Sequence, residues 1–219
     1  MNSLISSQLF DGLLLGIALF AAPGPKDTLV IRQGVSDGTV WGVVAICVVA
    51  DAILIAIGAA GIGTLLNTYP KIIFSMLLAG AIYLIWFGGQ RFIACARNQS
   101  MPDLATGATY RQRGLLKTAL ILSFANPYAW LDTVVLIGPI GAAKPVEQRA
   151  VFLAGTVAAS ATWFILLAIS SRKLNGLFKH RIAWRWLDAA IVVLMFYLAV
   201  GLLQDCMRMF QHGASVSIH

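Results

Sequence analysis

The stretch AAPGPKDTLV, residues 21–30, interrupts an apolar run that begins at Leu13 and resumes through Ile31. Pro23 and Pro25 have no N–H, so the carbonyls of Leu19 and Ala21 lose their usual helical partners. In hydrocarbon an unsatisfied carbonyl is costly, so such a break has to face protein or a water-filled cavity. Gly24 allows a non-helical turn, and a second half-helix then starts near Lys26 or Asp27. Asp27 can accept hydrogen bonds from the free N–H groups of that start, as a capping residue does. The plain alternative is a proline kink carrying an interfacial Lys26–Asp27 ion pair. A cavity-lining break is the reading taken here.

The rest of the chain gives this break its setting. Of 219 residues, 59% are hydrophobic and 11% charged, against about 25% charged in a soluble domain. That is a membrane composition. The net charge of +7 does not point to nucleic acid, because the basic residues lie in short linkers between apolar runs. The start, MNSLISSQLFDG, lacks the basic residues of a secretory leader, so the first apolar run is expected to stay as a helix. A span needs about 20 apolar residues, and six segments qualify: 9–31, 40–66, 72–94, 115–140, 150–169 and 183–203. The polar linker RNQSMPDLATGATYRQRG divides them into two groups of three, residues 1–108 and 109–219. The fold expected is an all-α membrane protein of six helices in a single polytopic domain.

Charge sets the orientation. Arg32, then Arg91, Arg97, Arg111, Arg113 and Lys117, then Arg172, Lys173, Lys179, Arg181 and Arg185 follow the odd-numbered spans. Lys71, Lys144, Arg149 and Arg208 lie on the other side. The richer side is cytoplasmic, so both termini face outward. Trp41, Trp130, Trp184 and Trp186 fit interfacial positions, whereas Trp86 and Trp163 read as packing residues.

DTLVIRQG from Asp27 is echoed by DTVVLIG from Asp132. Each follows a proline-bearing break, Pro23-Gly24-Pro25 in one and Asn126-Pro127 in the other, and each opens a three-helix half. Three spans per half place the second copy upside down. Inverted repeats with broken first helices are a common layout for secondary transporters, with the substrate site at the repeat interface.

Asp51, in VVADAILIAIG, has no opposite charge for many residues on either side. A carboxylate at the centre of a span costs about 2.5–3.5 kcal/mol, so it must point into the bundle toward a partner from another helix. It fits a cation ligand or proton carrier. Helical spacing puts Val44, Cys47, Val48, Leu54, Ile55 and Gly58 on its face. Tyr128 and Asp132 share one face beyond the second break, and Asn126 and Thr133 another. Small residues at Gly155 and Ala159, and in GAAGIG from Gly58, suit close helix packing. Asp188 reads as a helix-end residue. Cys47, Cys95 and Cys206 read as packing residues; no metal spacing, nucleotide motif or cofactor site is evident.

PGPKDTLVIRQG, ADAILIAIGAAG, GAIYLIWFGG, FANPYAWLDTVVLIG and GTVAASATWF together resemble the LysE/ArgO branch of the LysE/RhtB amino-acid exporters, over essentially the whole chain. The resemblance implies a bacterial inner-membrane exporter of lysine or arginine driven by the proton motive force, and no enzyme. Its partners would be the amino acid, protons and the lipid bilayer, and a homo-oligomer is compatible with the sequence. It carries Asp51, Asn126, Pro127 and Asp132 over as motif residues. The chain departs from that branch at Lys26-Asp27, where Gln-Asn is usual. A cation there should repel a basic side chain unless Asp27 neutralises it or it points to solvent; alternatively it binds the substrate carboxylate. The rival readings are an exporter of neutral amino acids or of another small cationic solute, and a passive channel or scaffold.

The orientation is directly testable. A reporter fused to the C-terminus should be active only on the outer side of the membrane. A cytoplasmic signal contradicts the six-span arrangement or its direction.

Overall fold

A computed structural model of the chain describes residues 2–21, 24–35, 40–97, 112–173, 176 and 181–216, and all regular structure within them is helical. Helix α1 (Asn2–Phe20) stops short of the first break, and α2 (Pro25–Val35) follows it. Helix α3 (Val40–Ile57) runs through a wider π-helical stretch, Gly58–Ile62, into α4 (Gly63–Asn67). Helix α5 (Pro70–Ala96) comes next, then α6 (Gln112–Phe124). After the second break come α7 (Pro127–Trp130), a π-helical stretch Leu131–Ile137, and α8 (Gly138–Ala142). Two long helices finish the chain, α9 (Val146–Lys173) and α10 (Arg181–Val216).

Four stretches are long and apolar enough to cross a bilayer alone: Val40–Leu66, Pro70–Ile93, Val146–Lys173 and Arg185–Met209. Two more arise if each bent pair counts as one span, α1 with α2 at 83° and α6 with α7–α8 at 54°. The protein is therefore all-α and multi-spanning. Its outer surface agrees: Ile82, Phe92, Val193 and Tyr197 stand exposed along α5 and α10, a density of apolar side chains suited to lipid rather than water. Trp86 corrects its sequence reading. It is 57% exposed and belongs to this outer surface, not to the packing. Pro23 and the 108/109 division lie outside the described residues.

Small residues set the closest helix contacts. A Cβ at Gly12 would lie 2.1 Å from the carbonyl oxygen of Phe152, and one at Gly155 would lie 2.2 Å from that of Leu9. Helices α1 and α9 therefore cross backbone to backbone. A second close crossing joins the two π-helical regions: a Cβ at Gly58 would lie 2.9 Å from the Cα of both Gly138 and Val134. Gly61, at φ 104°, takes a left-handed conformation and kinks the end of the second span. Elsewhere, α5 packs on α10 through Leu84, Phe87, Ile191, Met195 and Ala199.

Charged residues gather at the two ends. At one, Arg32 lies 3.9 Å from Asp188, Arg91 is in electrostatic reach of both, and the Cys95 thiol donates to the carbonyl of Arg185. These come from the flanks assigned to the cytoplasmic side. At the other end, Lys144 lies 3.8 Å from Asp11 and Arg149 donates to the carbonyl of Ala142. Asp188 lies near the start of α10 but is fully buried, so it is an interhelical ion-pair partner rather than a hydrated helix end.

The α1–α9 crossing can be checked by overpacking. Gly155→Val should lower the melting temperature of the purified protein, since filling a packed contact costs about 1–3 kcal/mol. Gly89→Ala, where the added carbon meets nothing within 4 Å and alanine is the better helix former, should not lower it. Equal effects contradict this packing.

Candidate functional site

Helix α2 starts at Pro25, the residue type best tolerated at a first helical position. The N–H of Gly24, just ahead of it, donates to Asp27 Oδ2 at 2.6 Å. The N–H and hydroxyl of Thr28 both donate to the Gly24 carbonyl at 3.1 Å. Asp27 thus closes the break by reaching back from the third helical position, the acidic half of a capping box. Its other oxygen, Oδ1, accepts the indole N–H of Trp163 on α9 at 2.7 Å. Both oxygens are committed.

Lys26 is adjacent in sequence but about 100° further round the helix, so it aims elsewhere. Its ammonium pairs with Asp51 Oδ1 on α3. Asp51 Oδ2 accepts the Ser160 hydroxyl at 2.7 Å. The Lys26 nitrogen also lies 5.5 Å from the centre of the Phe164 ring, within cation–π range. Asp51 is fully buried and the Lys26 side chain is 11% exposed. This corrects the picture of an adjacent Lys26–Asp27 ion pair: the pair joins two helices. Lys26 neither points to solvent nor stands unneutralised. Asp51 faces the bundle as its span position demands, along with buried Val44, Cys47, Leu54, Ile55 and Gly58, while Val48 is half-buried.

The second break is built differently. Asn126 has extended backbone angles, φ −88° and ψ 106°, and its side-chain oxygen accepts the Tyr128 N–H at 3.0 Å. It is the N-cap, and Pro127 is the first helical residue. The Trp130 indole donates to the Phe124 carbonyl at 2.8 Å, which satisfies a group freed at the end of α6. Tyr128 and Asp132, one turn apart, lie within electrostatic reach of each other. Thr133 donates its hydroxyl to the Ala129 carbonyl. Asp132 is half-buried and within electrostatic reach of Lys26 and Asp51, so the two breaks share one electrostatic neighbourhood.

Counted from the helix starts, Asp27 is the third residue of α2, whereas Asp132 is the sixth after the second break. The Asp-Thr echo is therefore offset by about one turn from the breaks. By that count Lys26 corresponds to Tyr128.

Three α9 side chains complete the cluster: Ser160, Trp163 and Phe164. Trp163 read as packing from the sequence. The available signal was chemical, because a buried indole N–H needs an acceptor. Ser160 lay hidden in a stripe of small residues. Of the cluster, Lys26, Asp27, Asp51, Asn126 and Ser160 are buried, whereas Tyr128, Asp132 and Trp163 are half-buried. A groove of about 480 Å³ beside Gly61 and Thr64, and an apolar one of about 210 Å³ beside Ile46 and Leu120, are not lined by it. No group of His, Cys, Asp and Glu among the described residues could hold a metal ion. Chemically, the site is one buried ion pair, Lys26 with Asp51, with two further carboxylates, Asp27 and Asp132, in electrostatic reach of the ammonium.

Comparison with known proteins fits a transport protein. The chain is 32% identical to the lysine exporter LysE of Corynebacterium efficiens, over 88% of this chain and 96% of that protein. It is 31% identical to the arginine exporter protein ArgO of an Enterobacter species, over 91% and 94%. It is 29% identical to the lysine exporter LysE of Corynebacterium glutamicum, over 88% and 96%. No solved structure matches. Residues 17–205 match the LysE type translocator family, and the chain belongs to that family.

Proposed function

We propose that this protein exports basic amino acids, lysine or arginine, from the bacterial cytoplasm across the inner membrane, by alternating access coupled to protons. The observation that carries the substrate class is the charge of the buried cluster. Lys26 is ion-paired with Asp51, and Asp27 and Asp132 lie within electrostatic reach of the same ammonium, so with its acids ionised the cluster is left net negative. A cationic substrate and a proton are the partners that neutralise it. The relatives described above as lysine and arginine exporters support the same reading.

In this reading the two bent pairs are spans, which makes six. Residues 1–108 and 109–219 are then inverted repeats. The helix pairing supports this: α1 of the first half packs on α9, α3 packs on α6 and the following π-helical stretch, and α5 packs on α10. First helix meets second, second meets first, and third meets third, as a two-fold relation would generate. Asp51 and Asp132 are the cation and proton sites. Asp27 and Asn126 hold the two breaks, built around Gly24, Pro25 and Pro127, and Tyr128 orients Asp132.

Proteoliposomes loaded with labelled lysine or arginine test this. An imposed pH gradient should accelerate saturable efflux. Flux that neither saturates nor responds to the gradient marks a channel, and saturable flux of neutral amino acids alone marks a neutral exporter. Asp51→Asn should reduce coupled efflux to background with the protein still present in the membrane. Because that variant strands Lys26, a loss of about 3–5 kcal/mol in stability is expected, so membrane content is measured alongside. Wild-type efflux by Asp51→Asn contradicts the role given to Asp51.

A further inference from the structure

The surroundings of the Lys26 ammonium form a complete ammonium site. A buried carboxylate oxygen of Asp51 takes the charge, the Ser160 hydroxyl holds the second oxygen at 2.7 Å, and the Phe164 ring faces the cation at 5.5 Å. The occupant is tethered, but chemically it is the terminal group of a lysine. Both Asp51 oxygens are engaged and the side chain is fully buried. Another cation therefore reaches Asp51 only by taking the place of Lys26.

We propose that Lys26 is a resident competitor for this site, so that a basic substrate binds by exchanging its own ammonium or guanidinium for that of Lys26 on Asp51. This rests on the reading that the cargo is a basic amino acid. The displaced ammonium does not end bare in hydrocarbon. Asp27, whose oxygens are held by the neutral N–H groups of Gly24 and Trp163, is its sequence neighbour, and Asp132 is within electrostatic reach. Both are carboxylates without a cationic side chain in hydrogen-bond contact among the described residues.

The consequence is kinetic as well as energetic. A site that is self-occupied most of the time lowers the apparent affinity by the fraction of time it is free. The returning Lys26 also helps to eject the cargo. Weak binding and quick release suit a protein that must discharge cargo rather than retain it. This role differs from that of a ligand for the substrate carboxylate, because it depends on the cargo's cation alone.

The test compares lysine with 1,5-diaminopentane, the same molecule without its carboxylate. Dissociation constants are measured on purified wild type, Lys26→Gln, and the double variant Lys26→Gln/Asp27→Asn, which removes one charge of each sign and carries the comparison if the single variant does not fold. Removing the competitor should tighten both ligands by about tenfold or more. Weaker lysine with unchanged diamine makes Lys26 a carboxylate ligand and overturns the proposal, as do dissociation constants that do not move. A wild type that binds lysine, arginine and the diamine with unmoved constants in the variants leaves the basic-cargo reading standing without this inference. A wild type that binds none of them removes both.

Discussion

One buried ion pair, Lys26 with Asp51, ties the interior together. The hydrocarbon of a bilayer offers no water to a stray charge, so each of these side chains depends on the other. The pair sits at a meeting of helices. Lys26 lies in the first turn of α2, Asp51 two-thirds of the way along α3, and Ser160 on α9 adds the remaining hydrogen bond. Such pairs do little for net stability, since desolvation cancels much of the attraction. Their effect is on arrangement: with Lys26 held on Asp51, the start of α2 faces the protein interior, and so does the helix break before it.

The two breaks solve one problem by different chemistry. Each leaves N–H groups at the start of a half-helix without partners. At the second, Asn126 supplies a neutral amide oxygen as a cap. At the first, glycine occupies the cap position and the acid comes from inside the helix, with Asp27 reaching back to Gly24. A carboxylate used in this way carries a full charge into the span. Trp163 answers one lone pair with its indole, and Lys26, though paired with Asp51, is in electrostatic reach of Asp27. The first break thus brings a charged side chain to its cap where the second uses a neutral amide.

Hydrophobic runs and prolines make much of the architecture readable in the sequence. The four uninterrupted spans follow from length and apolarity, and both breaks follow from residues that cannot continue a helix. The inward aim of Asp51 was legible because a bare carboxylate in hydrocarbon is not tolerated. Its partner was not legible. Helical period fixes which residues share a face, but not which neighbouring helix that face meets. Lys26 looked like half of a local pair because Asp27 stands next to it; the capping demand of the break uses up Asp27, and the turn of the helix sends Lys26 to α3. Ser160 was indistinguishable from the small residues that let α9 approach α1, so a hydrogen-bonding residue passed as packing. The burial of Asp188 was missed for a similar reason: its partner, Arg32, is distant in sequence.

The most direct measurement is a double-mutant cycle on the thermal stability of the purified protein, with Lys26→Gln, Asp51→Asn and the two combined. If the buried pair organises this region, each single change strands a charge and lowers the melting temperature, and the double change recovers much of the loss, with a coupling of at least about 1 kcal/mol. Losses that simply add, with no recovery in the double variant, contradict the pair and the inward-facing first break with it.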